Sequence, residues 1–145
     1  MRSLPYCLLA GLLVLGTSGC NQGPEIVPVS GQVLIEGKPL KAGFIRVLPT
    51  SGRAALGTIG PDGKFALKTK DKDGTLVGEH PVEISAFEFK NRQKIWYAPY
   101  HYTDYQTSKL MAKVEGPTDN LQINLTWDNE ANRARGMVIE SVQAE

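Results

Sequence analysis

The stretch Val29-Ser30-Gly31-Gln32-Val33-Leu34-Ile35, running into Glu36-Gly37-Lys38-Pro39, governs how the rest of the chain is read. Val29, Gly31, Val33 and Ile35 share one side of an extended chain; Ser30, Gln32 and Glu36 lie on the other with Leu34. A strand sends successive side chains to opposite faces, so this alternation describes a strand with one face in a core. The glycine and proline that follow close it in a turn.

The same period recurs along the chain. Ile45 and Val47 alternate with Phe44, Arg46 and Leu48, which predicts a strand covered on both sides. Phe65 and Leu67 alternate with Lys64, Ala66 and Lys68, and Val82, Ile84 and Ala86 with Glu83 and Ser85. Leu110, Ala112 and Val114 alternate with Met111 and Lys113; Leu121, Ile123, Leu125 and Trp127 alternate with Gln122, Asn124 and Thr126. Pro61-Asp62-Gly63 is a turn signal that should join a strand over 55–59 to one over 65–69: proline presets φ, aspartate bonds its own backbone and glycine takes positive φ. Asp71-Lys72-Asp73-Gly74 marks the next loop, and Gly116 to Asn120 joins the last two strands. With 15 glycines and 9 prolines in 145 residues, short strands and turns are favoured over long helices. These segments predict an all-β fold, a seven-stranded β-sandwich over residues 27–127. Residues 128–145 read as a short polar C-terminal tail, with Met137-Val138-Ile139 as material for an added edge strand.

Residues 1–19 have the layout of an export signal: Arg2, an apolar run from Leu8 to Leu15, then Gly16-Thr17-Ser18-Gly19 before Cys20. The run is shorter than the ~20 apolar residues that span a bilayer. Small residues followed by Cys20 resemble the lipobox of bacterial lipoproteins, with Thr17 where that pattern usually has leucine. The resemblance implies a diacylglycerol on Cys20 after cleavage, and two acyl chains anchor stably where one does not. Cys7 leaves with the leader, so the mature chain has no internal disulfide. Residues 20–26 form a polar tether. The expectation is a chain exported and lipid-anchored to a bacterial membrane, carrying no cofactor apart from that lipid.

Val29-Ser30-Gly31-Gln32-Val33 followed by Gly37-Lys38-Pro39-Leu40-Lys41-Ala42-Gly43 resembles the opening of transthyretin-like (carboxypeptidase regulatory-like) domains. Pro61-Asp62-Gly63-Lys64-Phe65 is similar to that family's second hairpin, and Gly78-Glu79-His80-Pro81-Val82 to one of its strands. Tyr102 with Thr107-Ser108-Lys109-Leu110 resembles a late segment of small bacterial lipoproteins that carry this domain alone. The resemblance implies a prealbumin-like Greek-key sandwich, usually non-catalytic and often an accessory or adhesive module.

Beyond Arg2, basic and acidic side chains balance, which argues against the positive footprint that nucleic acid requires. His80 and His101 are the two histidines, and neither has a second histidine or a cysteine at ligand spacing. Transthyretin-related hydrolases of 5-hydroxyisourate use a C-terminal Tyr-Arg-Gly-Ser; this chain ends Ser141-Val142-Gln143-Ala144-Glu145. There is no Gly-x-Ser-x-Gly elbow and no phosphate loop, so the expectation is a non-enzyme. Asp71, Asp73 and Glu79 are weak candidates for a calcium ion, without the full loop pattern. Asn124-Leu125-Thr126 matches a glycosylation sequon but falls on an expected strand.

Trp96, Tyr97, Tyr100, Tyr102 and Tyr105 crowd ten residues within the long connection from Phe87 to Tyr105. Tyrosine and tryptophan pair an apolar body with a polar tip, which suits protein contacts and stacking on sugars. Two roles stay open for them: pinning the connection to the core, or contacting an envelope protein or polysaccharide. The expected function is a lipid-anchored binding or structural module of the cell envelope, with a carbohydrate-binding module using 96–105 as the alternative.

Overall fold

The computed structural model describes residues 24–130 and 138–141. Cys20, the leader and most of the tether lie outside the described residues, as does the rest of the tail.

β1 (Ile26–Val27) precedes β2 (Val29–Ile35), which is buried at Val29, Gly31, Val33 and Ile35 and half-buried between them. β3 (Lys38–Pro39) folds back with Lys38 opposite Ile35. Glu36 and Gly37 therefore make a two-residue turn, both at positive φ. That geometry matches the right-handed twist of the paired strands. β4 (Gly43–Val47) and β5 (Ala55–Ile59) follow as an antiparallel pair.

The turn at Pro61-Asp62-Gly63 forms, with the Lys64 amide donating to Asp62 Oδ1 at 3.2 Å and the Gly60 amide to the Lys64 carbonyl at 2.9 Å. It does not make the simple hairpin its sequence predicts. β6 (Lys64–Ala66) pairs with β2, whereas β7 (Lys68–Thr69) returns to β5 through Leu56 and Lys68. Phe65 and Leu67 are both buried, so the segment serves two sheets in turn. β8 (Lys72–Asp73) pairs back on β7, and β9 (Thr75–Leu76) pairs with β1.

β10 (Gly78–Ser85) leads into β11 (Phe87–Lys90) and β12 (Gln93–Trp96). A 3-10 turn at Tyr100–Thr103 and the one-turn helix α1 (Tyr105–Ser108) come next. Asp104 caps α1, accepting from the Gln106 amide at 2.8 Å, which satisfies a donor left open at a helix start. β13 (Leu110–Val114), β14 (Thr118–Leu125) and β15 (Val138–Ser141) complete the chain.

Apart from those two helical turns, the regular structure among the described residues is all β. One sheet runs β13-β10-β4-β5-β7-β8, antiparallel throughout; another runs β14-β2-β3 with β6 also on β2. β14 lies parallel to β2, and its register shifts between Thr118 and Leu121. Gly31 sits at that shift, where a Cβ would fall 1.8 Å from the Leu121 carbonyl oxygen. Only glycine allows so close an approach of two backbones. Gly74, at φ +103, is held the same way against the Val27 carbonyl.

The two sheets share one core. Val33, Ile35, Ile123 and Leu125 come from one; Ile45, Val47, Val82, Ile84 and Val114 come from the other. Every expected segment holds strand, but the one over 65–69 divides into β6 and β7, the last ends at Leu125 before Trp127, and seven undercounts the fold. A third sheet, β11-β12-β15, stands beside the other two. The segment 87–105, expected to be a long connection between strands, holds a hairpin of this sheet, and the tail adds its third strand at β15. The expectation that β4 is covered on both faces fails: Ile45 and Val47 are buried, but Phe44 is 54% exposed.

Candidate functional site

The five aromatics of 96–105 do not form one row of open ring faces. Trp96, at the end of β12, is 5% exposed and Tyr102 is 6% exposed. Trp96 packs against Phe87 at 5.2 Å between ring centroids and makes a T-shaped pair with Tyr100 at 5.3 Å. The Lys94 ammonium lies over both Trp96 and Phe87, 4.2 and 4.5 Å from their centroids. A cation over a ring face is drawn by the ring's quadrupole, so Lys94 covers Trp96 where a sugar would have to stack.

Tyr102 pins the connection to the end of β14: its hydroxyl accepts from the Thr126 amide at 3.1 Å and lies 3.3 Å from the Thr126 carbonyl. Tyr97 is half-buried against the core, and its hydroxyl donates to Glu88 Oε1. Ionising that phenol would set two anions against each other, and this hydrogen bond, followed by burial and the Glu88 charge, pushes its pKa up to about 12. Tyr100, 71% exposed, and Tyr105 keep their rings in solvent. Tyr105 is held by its backbone amide on Glu83 Oε1 at 3.2 Å.

Phe44, which the alternation pattern places on a strand covered on both sides, and Leu56, which the sequence reading does not single out, are further functional candidates. They project from the outer faces of β4 and β5 into an open groove of about 860 Å³, lined also by Arg46, Thr58, Ser85 and Phe87. Arg46 is tied to Glu83 at 3.0 Å on its rim. Phe87 belongs both to this groove and to the Trp96 cluster, and it meets Phe89 edge-on at 5.6 Å. Leu56, Phe44, Phe87, Phe89 and Tyr100 thus mark an apolar path from the main sheet onto the ribbon β11–β12. The signal was present in the sequence as apolar residues at the outward positions of Phe44 and Leu56. Large exposed apolar patches of this kind mark contact surfaces.

The weak calcium candidates separate. Asp71 pairs with Lys70 at 3.8 Å and Asp73 with Lys68 at 3.5 Å, while Glu79 lies in register with Lys113 on β10 and β13. Among the described residues no three His, Cys, Asp or Glu side chains are placed to hold a metal ion. The hairpin of β7 and β8 turns each aspartate toward a lysine, which accounts for that alternation of charge. His80 is buried with Nε2 2.8 Å from the Leu76 carbonyl, and its Nδ1 has no partner among the described residues. His101 stacks on Tyr102 at 4.0 Å. Asn124 is exposed on β14.

The chain matches no protein-family model, and comparison with curated proteins and with solved structures finds no match either. No helix among the described residues is long and apolar enough to cross a membrane.

Proposed function

We propose that this protein is a non-enzymatic, lipid-anchored module of the bacterial envelope that binds a protein partner through the apolar path from Leu56 to Tyr100. We read its two main sheets as a seven-stranded Greek-key sandwich of the prealbumin type. The order β13-β10-β4-β5 against β14-β2-β6 supports that reading, together with the transthyretin-like turns of the sequence.

The single observation that carries the binding role is the exposed apolar path itself, built on paired strands. Binding residues gain precision from a rigid scaffold. The position of the tether fits this role. Glu25 enters the domain by accepting from the Val77 amide at 3.3 Å, just before β10 begins. β10 then runs eight residues to Ser85, roughly 25 Å at about 3.3 Å per residue. An anchor at Cys20 would therefore hold one end of the domain at the lipid and turn the ribbon away from it.

Two measurements test the two halves. Mass spectrometry of the N-terminal peptide should find Cys20 carrying diacylglycerol, with Cys20→Ser released from the membrane fraction; an unmodified Cys20 would remove the anchor. Crosslinking in intact cells should yield a partner that a Phe44→Ser, Tyr100→Ser variant loses. An unchanged set of crosslinks would remove the binding surface.

A further inference from the structure

The ribbon β11-β12-β15 ends on β11, whose second edge pairs with nothing among the described residues. Its hydrogen-bond phase follows from the register. Asn91 and Arg92 form a two-residue turn, with Lys90 opposite Gln93 and Glu88 opposite Ile95. The residues flanking such a turn exchange both backbone bonds, and every second pair repeats this. The Tyr97 amide bond to the Ala86 carbonyl, 2.7 Å, falls in the same phase. Lys90 and Glu88 are therefore spent on β12, and the N–H and C=O of Phe87 and Phe89 point outward from the free edge.

Those two residues carry the ribbon's open apolar face. Phe89 is 66% exposed, and its ring leans on Phe87. The charges near this edge are unequal. Lys90 and Arg92 are exposed and form no ion pair among the described residues. The Lys94 ammonium sits over the Phe87 ring. Of the acids, Glu88 is engaged by Tyr97, and Glu140 holds the register position beside Lys94 across β12, away from the free edge. Charged side chains on an open edge deter indiscriminate pairing; cations without an acidic partner at the tip repel a basic strand and attract an acidic one.

We propose that the free edge of β11 receives an extended acidic segment of a partner protein as an added strand. Its backbone bonds the outward groups of Phe87 and Phe89, its apolar side chains lie on the exposed Phe89 ring, and its carboxylates meet Lys90 and Arg92 at the hairpin tip. This names the partner class for the surface proposed above and rests on that surface, but not on the lipid anchor. In strand addition the backbone bonds supply affinity and alternate side chains supply specificity.

The test is fluorescence anisotropy with the full-length chain in detergent. The probe is a labelled octapeptide in which Asp alternates with Val and Phe. We expect saturable binding that weakens with salt and falls at least about tenfold for Lys90→Glu, Arg92→Glu, a charge reversal at an exposed tip. Phe89→Ser, also at an exposed position, should weaken binding while leaving the salt response in place. N-methylation of one alternate set of peptide amides should abolish binding, and methylation of the other set should not. No binding, equal binding of the peptide with Lys in place of Asp, indifference to the tip reversal, or indifference to N-methylation of either set would each overturn the proposal. Self-association of the chain that is lost in the tip variant would assign the edge to a second copy and overturn it as well. None of these outcomes bears on acylation of Cys20 or on crosslinks through Phe44, which the earlier experiments read separately.

Discussion

Ile45 and Trp96 are both buried, and their surroundings have little in common. Ile45 lies in the core shared by the two main sheets, among side chains from β2, β5, β10, β13 and β14. Trp96 lies outside that core. Phe87, Lys94 and Tyr100, all within ten residues of it in the chain, pack on it. The core is closed by strands far apart in sequence, so it is gained or lost as a unit. The aromatic cluster sits on a local hairpin with one further strand, β15, paired to it, so it is expected to open while the core stays intact. Regions with few buried apolar contacts open at lower free energy than the global transition. A surface that must accept an added strand belongs in that part of the molecule.

The largest effect expected from this contrast is at Gly31. A Cβ there meets the Leu121 carbonyl oxygen, so Gly31→Ala must push β14 off β2. Chemical denaturation should show a loss of about 4 kcal/mol, at the severe end for one substitution; a loss under about 1 kcal/mol would mean that the two strands are not so closely set. Ile45→Ala should cost about 3 kcal/mol through a cavity in the shared core. Trp96→Ala removes a larger side chain, yet it should cost less in global unfolding. Its main result should be faster hydrogen exchange in β11 and β12 with exchange in β4 and β10 unchanged. Equal acceleration in all four strands would erase the distinction between core and ribbon.

The same contrast explains what the sequence made legible. Alternation found β2, β4, β10, β13 and β14, because each has one face in a core and the period of two survives in the residues. It misplaced the partner of β6, since a turn fixes where the chain reverses but not which strand it meets afterwards. Ala66 marks the point where the segment leaves β2 and returns to β5, and no residue type announces that exchange. The ribbon was hidden for another reason. Phe87, Phe89, Lys94 and Trp96 share a face in true alternation, but β11 and β12 are four residues each, too short for a period of two to stand out from the aromatics that follow. The turn Asn91-Arg92 gave no glycine to mark it, although both residues take positive φ. At the candidate site, Phe44 breaks the polar phase of its strand, and an apolar residue at an outward position is equally what a strand covered on both faces would carry.

Smaller effects should come from the hydroxyls that fasten the connection. Tyr102→Phe leaves the Thr126 amide without its acceptor and should cost about 1 kcal/mol, seen as a shift in midpoint at constant denaturant slope. Tyr97 sharpens the comparison through pH. Its folded pKa, about 12, lies above the ordinary phenol value of 10.0. A raised pKa stabilises the folded state fully below the unfolded value and loses that contribution as pH climbs through the folded one. Stability should therefore fall between about pH 10 and pH 12, and Tyr97→Phe should flatten that fall. An unchanged slope in the variant would show that the Glu88 contact does not hold in solution.

The smallest effect on stability should come from Phe44→Ser, and it is the most telling partner to Ile45→Ala. The two residues are neighbours on β4 and point to opposite faces. Ile45 has no exposure to lose, whereas Phe44 already stands more than half in water, so its removal exposes little that was hidden. Thermal unfolding should differ from the parent by less than about 0.5 kcal/mol. If the outer face is there for packing against an unseen part of the chain, the loss will instead approach that of a core substitution. If it is there for a partner, stability will hold and the cellular crosslinks will go. Adjacent positions on one strand would then divide the molecule's two tasks between them, with folding assigned to the inward side chain and recognition to the outward one.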